Sequence, residues 1–298
     1  MLLDEFNKRE IIILDCYEIR CPKVLLFVFI ELCDAFKFYG YTVKIINSID
    51  ELHNNSIVFM GDTFYNECPG KILNMIAPEA IYIGWYWQEQ DTSMLKYFIY
   101  TYENMLNIYY NVNRIKCFTF LKSVKNNVPL LLRANDNPEM IGKYEKNKIY
   151  DYCYIGWQYC PELVPSDKFN GIYHGVLNHN EFLKYEDRKN IYLSSIFALG
   201  FQSNDNIGFK HVSQRIFEGM AYGCIVLTNS MPACEQTDNI AIYIDSKNDL
   251  ENKMIYYLQN PDEIKKKQLE GYEFVKKYGT NHLSIQQFIN KINILYKL

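Results

Sequence analysis

Residues 210–229 read KHVSQRIFEGMAYGCIVLTN. The stretch parses as a polar loop, a short helix, a glycine stop and a buried strand. Ser213 stands where its hydroxyl can take a free backbone N–H of the first helical turn. Gly223 stands where a helix ends in a left-handed residue. Cys224 to Leu227 is apolar and β-prone, as in a strand covered on both faces. Arg215, Glu218 and Tyr222 fall three and four apart and share one stripe, while Ile216, Phe217 and Met220 turn the other way. One face packs, and the other presents a cation and a carboxylate near a helix N-terminus. Backbone N–H groups and the helix dipole there favour an anion. A carboxylate one turn in suits the hydroxyls of an attached ribose. The plain alternative is a surface helix laced by an Arg215–Glu218 ion pair.

Working outward, strand–helix alternation continues in both directions. Upstream lie strands Tyr152 to Ile155, closed by Gly156, and Ile196 to Leu199. Downstream lie a strand, Ile240 to Ile244, and helices Lys247 to Gln259, Pro261 to Tyr278 and His282 to Tyr296. The pattern also fills the first half. Its strands are Ile11 to Leu14, Thr42 to Ile46, Ile57 to Met60, Ile81 to Gly84 and Pro129 to Arg133. Its helices are Val24 to Tyr39, stopped by Gly40, and a long aromatic-rich one, Met94 to Tyr110. Apolar strands alternating with helices predict parallel sheets with helices on both faces. The polar stretch from Ala134 to Lys148 is the linker candidate. The expected fold class is α/β: two Rossmann-like domains, residues 1–140 and 141–298, the second ending in helices. A cleft between them is the expected ligand site, at strand carboxyl ends.

The chain has 298 residues, is 49% hydrophobic and carries a formal net charge of -4, enough for a substantial core and with nothing favouring nucleic acid. It has no basic run and no C2H2 spacing. The 26 Tyr and 18 Phe suit sugar-binding surfaces, although abundant Asn, Ile and Lys beside them also fit AT-rich coding. The nine Cys include no C-x-x-C pair; Cys33, Cys117 and Cys224 lie in apolar runs as small hydrophobes. The first ten residues lack the pattern of a signal peptide, and Val24 to Ile30 is too short to span a bilayer. These features predict a soluble, cytoplasmic protein. The loop after the first strand, Asp15 to Arg20, has no G-x-G-x-x-G, which disfavours a nicotinamide enzyme. Neither a Walker A motif nor a G-x-S-x-G elbow is present.

The run S-Q-R-I-F-E-G-M-A-Y-G-C-I-V-L-T resembles the donor-site signature of GT-B glycosyltransferases. It is closest in pattern to the CgeB-like and group 1 transferases, through Ser213, Arg215, Phe217, Glu218, Met220, Ala221, Gly223, Leu227 and Thr228. The resemblance implies an enzyme that moves a hexosyl or related sugar (EC 2.4) from a nucleotide-sugar donor to a glycan or other acceptor. Retention at the anomeric carbon is expected, with no cofactor and no metal, since the D-x-D of GT-A enzymes is absent. It also implies that Glu218 holds the ribose and that the residues around Ser213 approach the diphosphate. Lys210 and Arg215 are the catalytic candidates, as cations facing the departing diphosphate. Relatives often carry an upstream glutamate in an E-x7-E pattern; here Lys210 takes that position. The alternative function is a non-catalytic nucleotide-sugar or glycan-binding protein that kept the fold. Its best support is that missing glutamate and the short first half.

Gly156, in Y-C-Y-I-G-W, is expected to let the chain pass close to the donor, and otherwise serves as a turn glycine. Trp157 beside it would stack or pack. His174 and Gly175 occupy the stretch that in the family lines the nucleobase pocket. His174 and His179 lack a third ligand at sensible spacing for a metal. Asn204 and Asp205 are sugar-side candidates, and His211 is a further basic one. On the acceptor side stand Asp62, Trp87, Gln88 and Glu89 at strand ends, with Arg133 and Asn135 at the turn between halves.

Overall fold

The first strand shows how this sequence builds its sheets. Glu10–Leu14 (β1) reads EIIIL, and Ile11, Ile12 and Ile13 are all 0% exposed. A parallel strand covered on both faces has that continuous apolar run. The structure, a computed structural model, describes residues 9–14, 24–46, 48–61, 77, 80–86, 105–109, 127–129, 133–156, 160–175, 183–208 and 210–296. It divides into two units, Met1–Leu131 with Ser284–Leu298, and Leu132–Leu283.

The first unit holds a six-stranded sheet. After β1 come Val24–Phe38 (α1), Val43–Ile46 (β2), Ser56–Gly61 (β3), Ile81–Tyr86 (β4), Met105–Tyr109 (β5) and Asn127–Pro129 (β6). The order is β2-β1-β3-β4-β5-β6, with every pairing parallel. Gly40, at φ 83, ends α1 as the sequence predicts. Ile57, Val58 and Phe59 of β3 are also 0% exposed. The Phe59 ring meets Phe36 at 5.4 Å and Phe288, from the returning C-terminal segment, at 5.9 Å. Two elements differ from expectation. Met105–Tyr109 is a strand paired in register with β4, Tyr82 opposite Met105 through Tyr86 opposite Tyr109, and not the end of a helix. Its Leu-Asn-Ile-Tyr run is compatible with either state, and the open edge of β4 decides it. Residues 94–104 lie outside the described ones. Among the described residues the strand at the end of the expected series is Asn127–Pro129, which begins before the expected span; residues 130–132 of that span lie outside the described ones.

The second unit holds Tyr150–Gly156 (β7), Gly171–Gly175 (β8), Tyr185–Leu193 (α2), Ser195–Leu199 (β9), Asn204–Gly208 (α3) and Gln214–Ala221 (α4). Ile225–Thr228 (β10), Met231–Gln236 (α5), Ile242–Tyr243 (β11), Lys247–Gln259 (α6) and Pro261–Tyr278 (α7) follow, and Asn281–Tyr296 (α8) leads back to the first unit. Its sheet runs β11-β10-β9-β7-β8, again all parallel. Alternation along the strands separates two cores. One face buries Tyr152, Tyr154, Phe197, Leu199, Ile225 and Leu227 with Leu250 and Met254 of α6. The other presents the smaller Cys153, Ala198 and Val226 to α4 and α7. Helix α4 approaches so closely that a Cβ on Gly219 would lie 2.9 Å from the Ala198 and Val226 side chains. That contact explains a glycine inside a helix, which costs about 1 kcal/mol against alanine.

The polar stretch after residue 133 is packed into this unit. Ala134 is 0% exposed; its N–H donates to the Gly279 carbonyl at 2.9 Å, and its carbonyl accepts from the Asn281 N–H at 2.9 Å. The Tyr144 hydroxyl donates to Asp136 at 2.5 Å. A sequence rich in Asn and Asp looks like a linker, yet satisfied hydrogen bonds make it structure.

Candidate functional site

Counted from their own first strands, both sheets share one order, with the first strand between the second and the third. Where strand order reverses, the connections leave in opposite directions and open a crevice at the carboxyl ends. In the second sheet that point lies between β7 and β9, at Gly156 and Leu199. The residues following Leu14 and Gly61, at the corresponding point of the first sheet, lie outside the described ones, as do Asp62, Trp87, Gln88, Glu89, Trp157 and His179.

The first turn of α4 lies at the β7–β9 point. Arg215 Nη1 donates to the Tyr154 hydroxyl at 3.2 Å and to the Phe201 carbonyl at 3.3 Å, tying helix, first strand and the exit of β9 together. The guanidinium lies directly over Gly156, where a Cβ would be 2.2 Å from Arg215 Nη1. Any larger residue there would push the guanidinium and the Tyr154 hydroxyl aside. Tyr173 stacks on Tyr154 at 4.6 Å and fixes that ring. Burial opposes the charge on Arg215, but Tyr154, Tyr192 and Glu218 outweigh it, and the guanidinium holds its proton more tightly than usual. The site therefore keeps a fixed positive charge at the helix start.

Ser213 occupies the N-cap position, but its side chain makes no capping bond and its Oγ is buried without a hydrogen-bond partner. Its backbone carbonyl, not its hydroxyl, closes the turn, accepting from Ile216 N–H at 3.1 Å. Glu218 is 4% exposed. Arg188 of α2 donates to its Oε1 at 2.9 Å and Gln214 to the same oxygen at 3.3 Å. The carboxylate's ion pair is thus with Arg188 rather than with Arg215. Its other oxygen, Oε2, has no hydrogen bond among the described residues. The Tyr185 hydroxyl of α2 meets that of Tyr222, so α2 braces the far end of α4 as well. From Ile216 onward the helix is buried on every side, including Glu218 and Tyr222 on the stripe read from sequence as open.

Lys210 is exposed, with φ 53, a left-handed conformation held by its N–H to the Ile207 carbonyl at 2.9 Å and by Gln236 donating to its own carbonyl at 3.0 Å. His174 sits on β8 opposite Ile155, in the switch-point neighbourhood but one strand out; Gly175 ends that strand opposite Gly156. His211 donates its N–H to the Asn206 carbonyl at 2.8 Å. Asn204 and Asp205 open α3. Arg133 covers the Phe217 ring at 3.8 Å, and Asn135 is buried near Asn281, so both serve packing here. Among the described residues no group of three or more His, Cys, Asp or Glu could hold a metal ion, and no helix is long and apolar enough to cross a membrane.

Sequence reasoning missed Tyr154, Arg188 and Gln202. The period-two spacing of Tyr152 and Tyr154 ahead of a glycine was a usable signal for the first. Arg188, in Y-E-D-R-K-N, reads as a solvated helix face; nothing local shows that its partner lies 30 residues on.

The profile of the family described as glycosyl transferase-like matches residues 140–290, a little over half of the chain. No curated protein matches the chain in sequence. Among solved structures, the chain is similar to T4 phage BGT, in a structure titled as a complex with UDP and Mn2+. The TM-score is 0.59 at 12% identity, covering 97% of this chain and 99% of that one. It is also similar to AviGT4, a glycosyltransferase involved in avilamycin A biosynthesis, with a TM-score of 0.55 at 10% identity, covering 97% of this chain and 99% of that one. At such identities the likeness shows the fold alone, which is the GT-B fold expected from the sequence.

Proposed function

The chain belongs to the glycosyl transferase-like family, and on that premise we propose that it transfers a sugar from a nucleotide-sugar donor to a glycan or other acceptor, with retention at the anomeric carbon and without a metal ion. The observation that carries this reading is the arginine laid over Gly156 at the start of α4, where the strand order reverses. A helix start and a fixed guanidinium together make a site for a diphosphate. In this reading Arg215, aided by Lys210, stabilises the charge that grows on the diphosphate as the glycosidic bond breaks. The unpaired Ser213 hydroxyl adds a neutral contact. Glu218, held by Arg188 through Oε1, offers Oε2 to the ribose hydroxyls. Gly156 keeps the floor low, and His174 borders the nucleobase. The leaving phosphate takes the acceptor proton, so no side-chain base is required. With cationic side chains and helix N–H groups meeting the diphosphate charge, no metal is required either.

The test is a thermal-shift panel of UDP-, GDP- and dTDP-sugars, followed by nucleoside diphosphate release with and without a chelator. The responding donor raises the melting temperature, because ligand binds the folded state. Turnover survives the chelator, and Arg215→Ala lowers kcat by about 10²–10³. A chain that binds no nucleotide-sugar overturns the reading. Binding without turnover establishes instead the non-catalytic alternative, which the lysine at position 210 favours.

A further inference from the structure

Gln202 follows Phe201, the residue whose carbonyl receives Arg215. It is 3% exposed, and both polar atoms of its carboxamide, Oε1 and Nε2, are buried without a hydrogen-bond partner. Among the described residues it is the side chain with a donor and an acceptor both in that state. Its main chain, in contrast, is fully engaged: Gln202 N–H donates to Asn229 Oδ1 at 2.8 Å and Asn229 Nδ2 donates to the Gln202 carbonyl at 3.0 Å. The backbone is therefore pinned while the side-chain amide is buried without a partner. A buried, unpaired amide is expensive, and native proteins rarely keep one without a use.

We infer that the Gln202 carboxamide is a specificity determinant that recognises hydroxyl groups of the sugar being transferred. The chemistry of the two open atoms selects this ligand. A phosphate oxygen only accepts, so it would satisfy Nε2 and leave Oε1 unpaired. A sugar hydroxyl both donates and accepts, and a pair of neighbouring hydroxyls satisfies both atoms at once. The position agrees. In the proposed reading Glu218, a turn farther into α4, meets the nucleoside and Arg215 the diphosphate from which the sugar extends, and Gln202 directly follows Phe201, whose carbonyl receives Arg215. A site built to hydrogen-bond a hydroxyl rejects analogues lacking it far more strongly than an apolar site can reject a methylene. The inference rests on the function proposed above.

Gln202→Met keeps the length of the side chain and removes both open atoms. The experiment compares wild type and variant in melting temperature without ligand, and in affinity for two probes: the nucleotide-sugar that shifts wild type most in the panel, and its free nucleoside diphosphate. The expected result has three parts. The unliganded variant melts at or above the wild-type temperature, nucleoside diphosphate affinity changes less than twofold, and nucleotide-sugar affinity falls at least tenfold. A melting temperature lowered by several degrees would make Gln202 a structural residue. An equal loss for both probes would assign the amide to the nucleobase or phosphates. Unchanged nucleotide-sugar affinity would also overturn the inference while leaving the proposed function standing. Wild type that binds no member of the panel overturns the function and the inference together.

Discussion

The two edges of the second sheet are built from the same strands and finished in opposite ways. At the amino edge, side chains of the unit itself cap several backbone carbonyls. Lys148 donates to the carbonyls of Tyr192 and Ser195, Cys224 Sγ lies 3.1 Å from the Tyr192 carbonyl, and Gln268 donates to the Gly223 carbonyl at 2.8 Å. Gly223, at φ 75, lets the chain turn into β10 under Tyr272 and Lys146. At the carboxyl edge, the Gln202 amide and the Ser213 hydroxyl are buried and unpaired, and Arg215 is held over a glycine. The amino edge leaves the Tyr272 hydroxyl buried and unpaired beside Gly223, while the carboxyl edge leaves a whole amide and a hydroxyl so beside a fixed guanidinium. The lesson is that an unpaired buried group points to function where it stands beside a fixed charge at a strand-order reversal, and each such group calls for an explanation.

The comparison can be broken at the helix that joins the two edges. Glu218→Ala removes the carboxylate that Arg188, with a side chain only 13% exposed, meets at 2.9 Å. Breaking a buried pair from one side costs about 3–5 kcal/mol, so urea denaturation should show a large loss of stability. Arg188→Met combined with Glu218→Met should recover most of it. Glu218→Gln, which keeps an acceptor for Arg188, is therefore the variant for testing ribose binding. Full stability in Glu218→Ala would show that the pair is not formed.

A second, smaller effect separates the edges. Gly156→Val should lower kcat/KM about 10²-fold, the scale of a displacement near 1 Å at a preorganised site, because its Cβ meets the Arg215 guanidinium. Steady-state kinetics measure it, and a kcat/KM within twofold of wild type would remove the arginine from the site.

The smallest effect sharpens the contrast from the amino edge. Burial, with Lys148 beside it, pushes the Lys146 pKa down from 10.5 to about 8. Below pH 8 both folded and unfolded chains hold this proton, and the cost of burying the charge is present in full. As pH rises from about 8 toward 10.5 only the unfolded chain keeps it, so stability rises across that window. Lys146→Met should abolish this slope, add on the order of 1 kcal/mol at pH 7, and leave donor affinity unchanged. Denaturation at pH 7 and pH 9.5 reads the slope; an altered donor affinity would mean the two edges are coupled.

Local pattern made much of this legible. Helices Lys247–Gln259 and Pro261–Tyr278 lie where Pro261 and the apolar spacing put them, and the segment from Arg215 to Thr228 marked both helix α4 and the family. The run Tyr152 to Ile155 marked a strand closed by Gly156, which the structure extends to Tyr150. Other features were hidden. Ala134 to Tyr144 has the composition of a linker, and only its bonds to Gly279, Asn281 and Asp136 show that it is packed. Residues 284–298 cluster with the first unit, although the sequence reading grouped them with the second.

The sequence by itself determined the alternation of strands and helices, the stop at Gly223 and the cation and carboxylate near one helix start, because each depends on residues a turn or less apart. Tertiary structure alone decided that Met105–Tyr109 joins a sheet, that Glu218 answers to Arg188, that Gly156 lies under Arg215 and that Gln202 is left unpaired. Those outcomes depend on which atoms meet across tens of residues, and no local period encodes a partner that distant.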